Sequence, residues 1–531
     1  MKNLLFILAL SMFLANVQKV NSQVDFKSSN LPIIIINTNN VTITDEPKVN
    51  AQMGIIYKEN SINFITDSFN VYNGKIAIEL RGNSSQNYSK KPYNFETRDA
   101  TGNNLDVSLL GMPADNDWIL LASYLDRTFI RDPLAHYISE SLGEWTSHSR
   151  HCEVVLNGKY MGIYILIEKI KRTKNRLNLS QLNPQDITGE SITGGYIYEV
   201  TGFTTYKTIP GDIGFNRVMH YPKPNEIASQ QISYIKKYDN DFRSVMETSL
   251  YSDIIYGYER FINIYSFIDE LITQEAMRNS DAYGWSGYFH KNKSEKISAG
   301  PVWDFDQSSG NSTYKDGANT TEWVFNLSDA YIPAFWKKLF DEPRFKYRLK
   351  LKWEEMRINK LSTVSINHFI DSCANMLDEA QKRNFTQWPT LGVFLWRETY
   401  GYYNRNTYTK EVDYLKGYTQ ERMAWIDNEL SKVAVVPLSS PLVSNRKNIL
   451  NLYPNPASDY IIINTGMDEM KTASLKIYNN LGIMVQNMMI SSDGDGIFKI
   501  QINSSLSSGL YHILVDGNSK QTFTGSFVIE R

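Results

Sequence analysis

Short apolar runs and alternating stretches fill the first third of the chain. "LPIIIINT" is a β-branched run ended by Asn-rich turn residues, which predicts a buried strand. "KIAIELRGNSS" predicts a strand over Lys75–Leu80 running into a Gly-Asn-Ser turn. "KKPYNFETRD" alternates, which sets Lys91, Tyr93 and Phe95 on one face. "TFIRDPLAHYISESLG" has a helical period and closes on Gly143. "HCEVVLNGKYMGIYILIEKI" reads as a hairpin turning at "NGK". Residues 253–278 are aromatic and helical in period. "GYFHKNKSEKISAGPVWDFD" predicts a second hairpin, with "KNKSEK" as its tip and the Asp304/Asp306 pair on its second strand. From Tyr331 to about Val433 the pattern is mostly helical.

The texture then changes. Residues 433–448 are rich in Pro and Ser and read as a linker. "DYIIINT", "SLKIYNNLGIMV", "GIFKIQI", "GLYHILVD" and "SFVIER" follow, and their spacing predicts a small all-β sandwich over residues 449–531. At the other end, residues 1–22 have the layout of a signal peptide: Lys2, an apolar run from Leu4 to Ala15, then a cleavage point after Ser22. That run is about 12 residues, short of the ~20 a membrane helix needs. The mature chain is therefore expected to be exported and soluble, with an uncleaved anchor as the alternative. Residues 31–432 remain as one α+β unit.

Composition narrows the picture little. Apolar content of 42% and charged content of 21% support a packed core. A net charge of −2 gives no general pull toward nucleic acid or an anionic membrane. Cys152 and Cys373 are the only cysteines; they form one disulfide if the fold brings them together, or otherwise two buried thiols. His148 and His151 lack a third metal ligand.

"GPVWDFDQSSGN" carries the sharpest question. Asp304 and Asp306 lie two residues apart in an apolar segment, and two like charges on one face resist burial. A bound dication would cancel that repulsion. Lys91, Glu168, Asp281 in "RNSDAYGW" and the Asp304/Asp306 pair together make a parts list for phosphoryl transfer. Each also has an ordinary reading: a solvated lysine, a local ion pair with Lys169 or Lys171, a turn aspartate, and Arg81 as a strand end. A carbohydrate hydrolase using Asp281 with Asp304 or Asp306 is a rival, but it leaves Lys91 and Glu168 idle.

Several segments, in order over roughly residues 30–430, resemble the spore-coat-protein-H-like (CotH) kinase family. They are "IAIELRGNSSQNYSKKPYNFETRD", "LLGMPADNDWILLASYLDRTFIRDPLAHYISESLG", "VVLNGKYMGIYILIEKIKRTKNRLNL", "GGYIYEV", "RNSDAYGWSGYFHKNK" and "AGPVWDFDQSSGN". The resemblance implies an atypical, two-lobed kinase-like fold that phosphorylates exported proteins using ATP and Mg²⁺ or Mn²⁺. It implies that Lys91, chosen over Lys90, contacts ATP phosphates and that Glu168 is its ion-pair partner. Asp281 would be the catalytic aspartate with Asn279 beside it, Asp304 a metal ligand, and Asp306 a second ligand or a support. Arg81 and Arg131 would contact phosphate or brace the site. The chain lacks both a G-x-G-x-x-G loop and an H-R-D sequence; "RGNSSQN" stands where a phosphate loop is needed. ATP is scarce outside cells, so a pseudokinase or a surface adhesion protein is the alternative. The tail, from "LYPNPASDYIIIN" to "SFVIER", resembles the C-terminal sorting domain of the type IX secretion system of Bacteroidota, with Tyr453–Pro456 as a rigid opening turn.

Overall fold

Alternation along the N-terminal third closes a sheet on itself. In the computed structural model, β1 (Ser28–Ser29) and β4 (Asn63–Phe64) form a short antiparallel pair. Seven longer strands make a closed barrel in the order β2-β3-β5-β6-β7-β9-β8. They are β2 (Ile33–Asn37), β3 (Val49–Ile56), β5 (Tyr72–Leu80), β6 (Tyr93–Arg98), β7 (Asp117–Leu121), β8 (Ser149–Leu156) and β9 (Lys159–Glu168). Every pairing is antiparallel except β2 with β8, where Ile33 lies opposite Glu153. The structure describes residues 24–201, 217–329, 331–436, 450–465, 471–479, 484–492, 496–517 and 522–531; the expected signal peptide and most of the expected linker lie outside them.

The barrel interior takes one set of alternate residues, including Ile34, Ile36, Ile76, Ile78, Trp118, Leu120, Tyr164 and Leu166. The other set on β7 and β9 is just as apolar. Ile119, Ile165 and Ile167 face outward and pack with Ile197, Tyr288 and Trp303. That second apolar layer binds a four-stranded sheet to the barrel wall. Its order is β11-β10-β12-β13, from β10 (Tyr196–Val200), β11 (Arg217–Tyr221), β12 (Gly287–Lys291) and β13 (Ile297–Ala299).

Seven helices are described: α1 (Arg131–Leu142), α2 (Ser229–Met246), α3 (Ile264–Met277), α4 (Phe335–Asp341), α5 (Pro343–Arg357), α6 (Thr363–Gln387) and α7 (Tyr408–Ser431). Gly143 ends α1 at φ 106°, donating to the Glu140 carbonyl. The helical period over 253–278 yields a helix only from Ile264. Before it the chain turns, and the Gly257 N–H bonds the Asp253 carbonyl at 2.8 Å. α6 lies on β9 at Gly162, whose φ of +94° and missing side chain admit Asn384 and Trp388.

Contacts divide the chain into two compact units. One contains the segment up to Lys236, Tyr265–Lys337 and Leu349–Lys432, and the other contains Lys237–Ile264, Lys338–Arg348 and Val433–Arg531. The C-terminal part of the second is β-rich. A three-stranded sheet, β14-β15-β18, combines β14 (Asn451–Tyr453), β15 (Tyr460–Asn464) and β18 (Ile497–Gln501). A four-stranded sheet, β17-β16-β19-β20, combines β16 (Thr472–Asn479), β17 (Met484–Ser491), β19 (Gly509–Gly517) and β20 (Thr522–Ile529). Ile461, Ile463 and Phe498 from the first sheet share one core with Leu475, Ile477, Ile513 and Phe527 from the second. Cys152 and Cys373 are both free and buried, so of the two readings it is the pair of thiols that holds. Among the described residues no helix is long and apolar enough to cross a membrane.

Candidate functional site

The Asp304/Asp306 pair is not on a strand. β13 ends at Ala299, and the chain leaves it through Gly300 at φ 94°. Asp304 itself takes φ 66°, a left-handed conformation that breaks strand geometry. The alternation that suggested a strand has another cause. Trp303 and Phe305 are buried anchors, and Trp303 joins the apolar layer on the barrel wall. The aspartates between and after them turn into a cleft.

The cleft holds roughly 470 Å³ of empty space, part of it open solvent. Arg81, Ser85 and Lys90 line it from the β5–β6 connection, the segment after β7 forms a second wall, and Asp132, Asp304 and Asp306 form a third. Side chains far apart in sequence hold these walls together. Asp132 accepts the Phe305 N–H at 2.7 Å. Arg131 pairs with Asp126 at 2.6 Å and donates to the Ser308 and Ser309 carbonyls at 3.0 and 3.3 Å. Asn279 ties the two acidic segments: its Oδ1 accepts the Asp281 N–H at 3.1 Å, and its Nδ2 reaches the Asp304 carbonyl at 3.5 Å.

The carboxylates feel one another. Burial, then Asp304, pushes Asp132 up to about 7. Burial, then Asp304, raises Asp281 to about 6 against the opposing pull of Lys315 and Arg397. Burial drives Asp306 well above the carboxylate range, with Asp304, Asp132 and Asp281 adding to it. Asp304 is also raised, burial being the main cause, and is eased by Arg81 and by the Ser286 hydroxyl at 3.2 Å. Asp304 is nonetheless exposed at the cleft mouth: water reaches one side of it while protein atoms surround the other. Among the described residues no three acidic, histidine or cysteine side chains already stand at chelating separation. The donor set still suits a hard dication. The oxygens the cleft offers are carboxylates with more negative charge than their neighbours cancel, and Mg²⁺ takes only one or two such groups from a protein.

The remaining expected residues divide. Arg81 lines the cleft with its guanidinium 5.0 Å above the Trp303 ring. Lys91 precedes β6 rather than lying on it, and its Nζ donates to the Gln86 carbonyl at 2.6 Å. Lys90 lines the cleft but is buried, donating to the Ile163 carbonyl and to Asn384 Oδ1. The expected Lys91–Glu168 ion pair is absent. Glu168 is fully buried and is taken by Arg176 at 2.5 Å and His148 Nδ1 at 2.8 Å, because β9 ends where those two side chains converge. Two further residues stand at the site: Asp132 lines the cleft, and Arg397 lies beside Asp281. "IRDPL" marked a helix start and so offered a signal for Asp132, whereas nothing local marks Arg397.

The family model described as CotH kinase protein matches residues 78–426. A second, described as a secretion system C-terminal sorting domain, matches residues 451–530. No curated protein matches the chain. The sorting domain marks the chain for export through the type IX secretion machinery to the cell surface or beyond.

Proposed function

The chain belongs to the CotH kinase family, and from that premise we propose that it is an exported atypical protein kinase. It would transfer the γ-phosphoryl group of ATP to Ser or Thr hydroxyls of exported proteins. The family implies nucleotide and divalent-metal use in general. The observation that carries the reading is a cleft lined by Asp304 and Asp306 together with Arg81, with Asp281, from a separate segment, close enough for its charge and theirs to be felt by one another.

Asp304 and Asp306 would hold the metal, which when bound brings charge to offset theirs and orients the triphosphate. Asp281 accepts the proton of the acceptor hydroxyl; its proton affinity near neutrality suits a general base. Asn279 fixes the spacing between base and metal site. Arg81 faces the phosphates. Lys91 serves the nucleotide through the "RGNSSQN" loop, whose Gln86 carbonyl it holds. In the kinase-like division, the barrel would be the nucleotide lobe and the helical stretch after Asn311 the lower lobe.

A second reading, a non-catalytic binding protein, draws on the missing Lys91–Glu168 pair, since phosphoryl transfer in protein kinases relies on a lysine–glutamate pair. Incubation with labelled ATP, Mg²⁺ or Mn²⁺ and a panel of exported proteins separates the two. The kinase reading predicts label transfer that disappears in Asp281→Asn and in EDTA. Label at the level of that variant favours binding alone, and hydrolysis of a glycan in EDTA would favour paired-carboxylate chemistry instead.

A further inference from the structure

Arg397, in the segment between α6 and α7, is held beside Asp281 with more structure than a surface arginine needs. Its neighbour Glu398 is buried and grips Arg127 at 2.6 Å and Arg405 at 2.9 Å; both arginines also bind Glu411, at 3.3 and 3.2 Å. That buried network pins the backbone on one side. On the other, the Thr313 N–H donates to the Arg397 carbonyl at 2.8 Å. Between these anchors Arg397 takes φ 58°. For a residue with a Cβ this conformation is unfavourable, and it persists only where the surroundings dictate it.

The side chain is equally constrained. The guanidinium lies between two rings, 4.1 Å from the centre of Tyr314 and 4.0 Å from that of Trp396. Stacking fixes its plane and leaves its edge for polar contacts. Those contacts are long: Nη1 is 3.9 Å from Asp281 Oδ1 and 3.5 Å from Gln307 Oε1. Its charge is felt at Asp281 and at Tyr88, which lines the cleft. Neutralising Asp281 alone would need neither the sandwich nor the planar fork, since a lysine supplies the charge. A planar cation with an under-used donor edge, turned to Asp281 beside the carboxylates of the cleft, matches the oxygens of a phosphoryl group.

We propose that Arg397 contacts the phosphoryl group in transfer, supplying from the α6–α7 segment the positive charge that Arg81 supplies from the barrel. The proposal rests on the kinase reading of the cleft. In the step, the acceptor hydroxyl oxygen forms a bond to the γ-phosphorus. The bond from that phosphorus to the β–γ bridging oxygen breaks, and ADP leaves with the electron pair. The hydroxyl proton passes to Asp281. Arg397 lies over the equatorial oxygens and, in turning to them, releases the carboxylate that takes the proton.

The test is equilibrium binding of a non-hydrolysable ATP analogue and of ADP, each with Mg²⁺, to the full-length chain and to Arg397→Gln and Arg397→Lys. A contact to the γ-phosphate predicts that Arg397→Gln loses about tenfold or more for the ATP analogue and less than about twofold for ADP. Arg397→Lys, which keeps the charge beside Asp281, falls between and is the variant to read if the glutamine form does not fold. Equal loss for both nucleotides, or no loss for either, overturns the role of Arg397 while leaving the kinase reading standing. Wild-type protein that binds neither nucleotide overturns the kinase reading, and this proposal with it.

Discussion

Lys90 and Lys91 are adjacent, yet Lys90 is fully buried while Lys91 is half-buried and bonded to the Gln86 carbonyl of its own loop. Lys90 lies against the Phe129 and Tyr164 rings, and burial lowers its proton affinity to about 7. The folded state therefore binds this proton less tightly than the unfolded chain, whose lysine titrates near 10.5. Between those values the unfolded state holds more protons, so stability rises with pH. For one group the slope approaches about 1.4 kcal/mol per pH unit. Denaturant unfolding of the wild type from pH 7 to 9 should show a gain that Lys90→Met lacks. A flat wild-type profile would mean that Lys90 keeps its proton. The sequence separated the two lysines only by an assumed strand face, and the strand begins two residues too late for that argument.

At the scale of elements, the loop after Trp303 carries Asp304 and Asp306, and its packing is specific. Gly310 has φ 79°, and an added Cβ would lie 2.7 Å from Tyr414 Oη and from a Tyr418 ring carbon. Gly310→Ala should cost about 2 kcal/mol or more, part from the left-handed backbone and part from overlap with α7. Thermal unfolding with a midpoint within error of the wild type would contradict that packing. Five barrel strands, β2, β5, β6 and the β8–β9 hairpin, and the α1 boundary were legible because alternation, β-branched runs and a C-terminal glycine are local signals; β3 and β7 were not read from the sequence. The Asp304 turn was not, because W-D-F-D alternates like a strand while buried anchors, not a pleat, impose the alternation. The partner of Glu168 was missed for a different reason. Arg176 is close in sequence, but only the folded end of β9 selects it over Lys169, Lys171 or Lys91. Arg397 reaches Asp281 through tertiary approach alone, which one sequence cannot reveal.

For the whole molecule, the alternating runs of the tail foretold its strands, and the family match gives them their purpose in export. A chain ending at residue 436 should accumulate inside the outer membrane, while the full chain reaches the surface or medium. Cell fractionation with an antibody to the kinase region checks this, and equal export of the two forms would deny the tail its role. The metal and nucleotide claim spans the larger unit, because Arg81, Asp281 and Asp304 come from different segments of it. Calorimetric titration with ATP, with and without Mg²⁺, tests it most directly. The account predicts heat of binding only with the dication, and an affinity at least about tenfold weaker in Asp304→Asn. ATP binding of equal strength in EDTA, or undiminished in that variant, would contradict it.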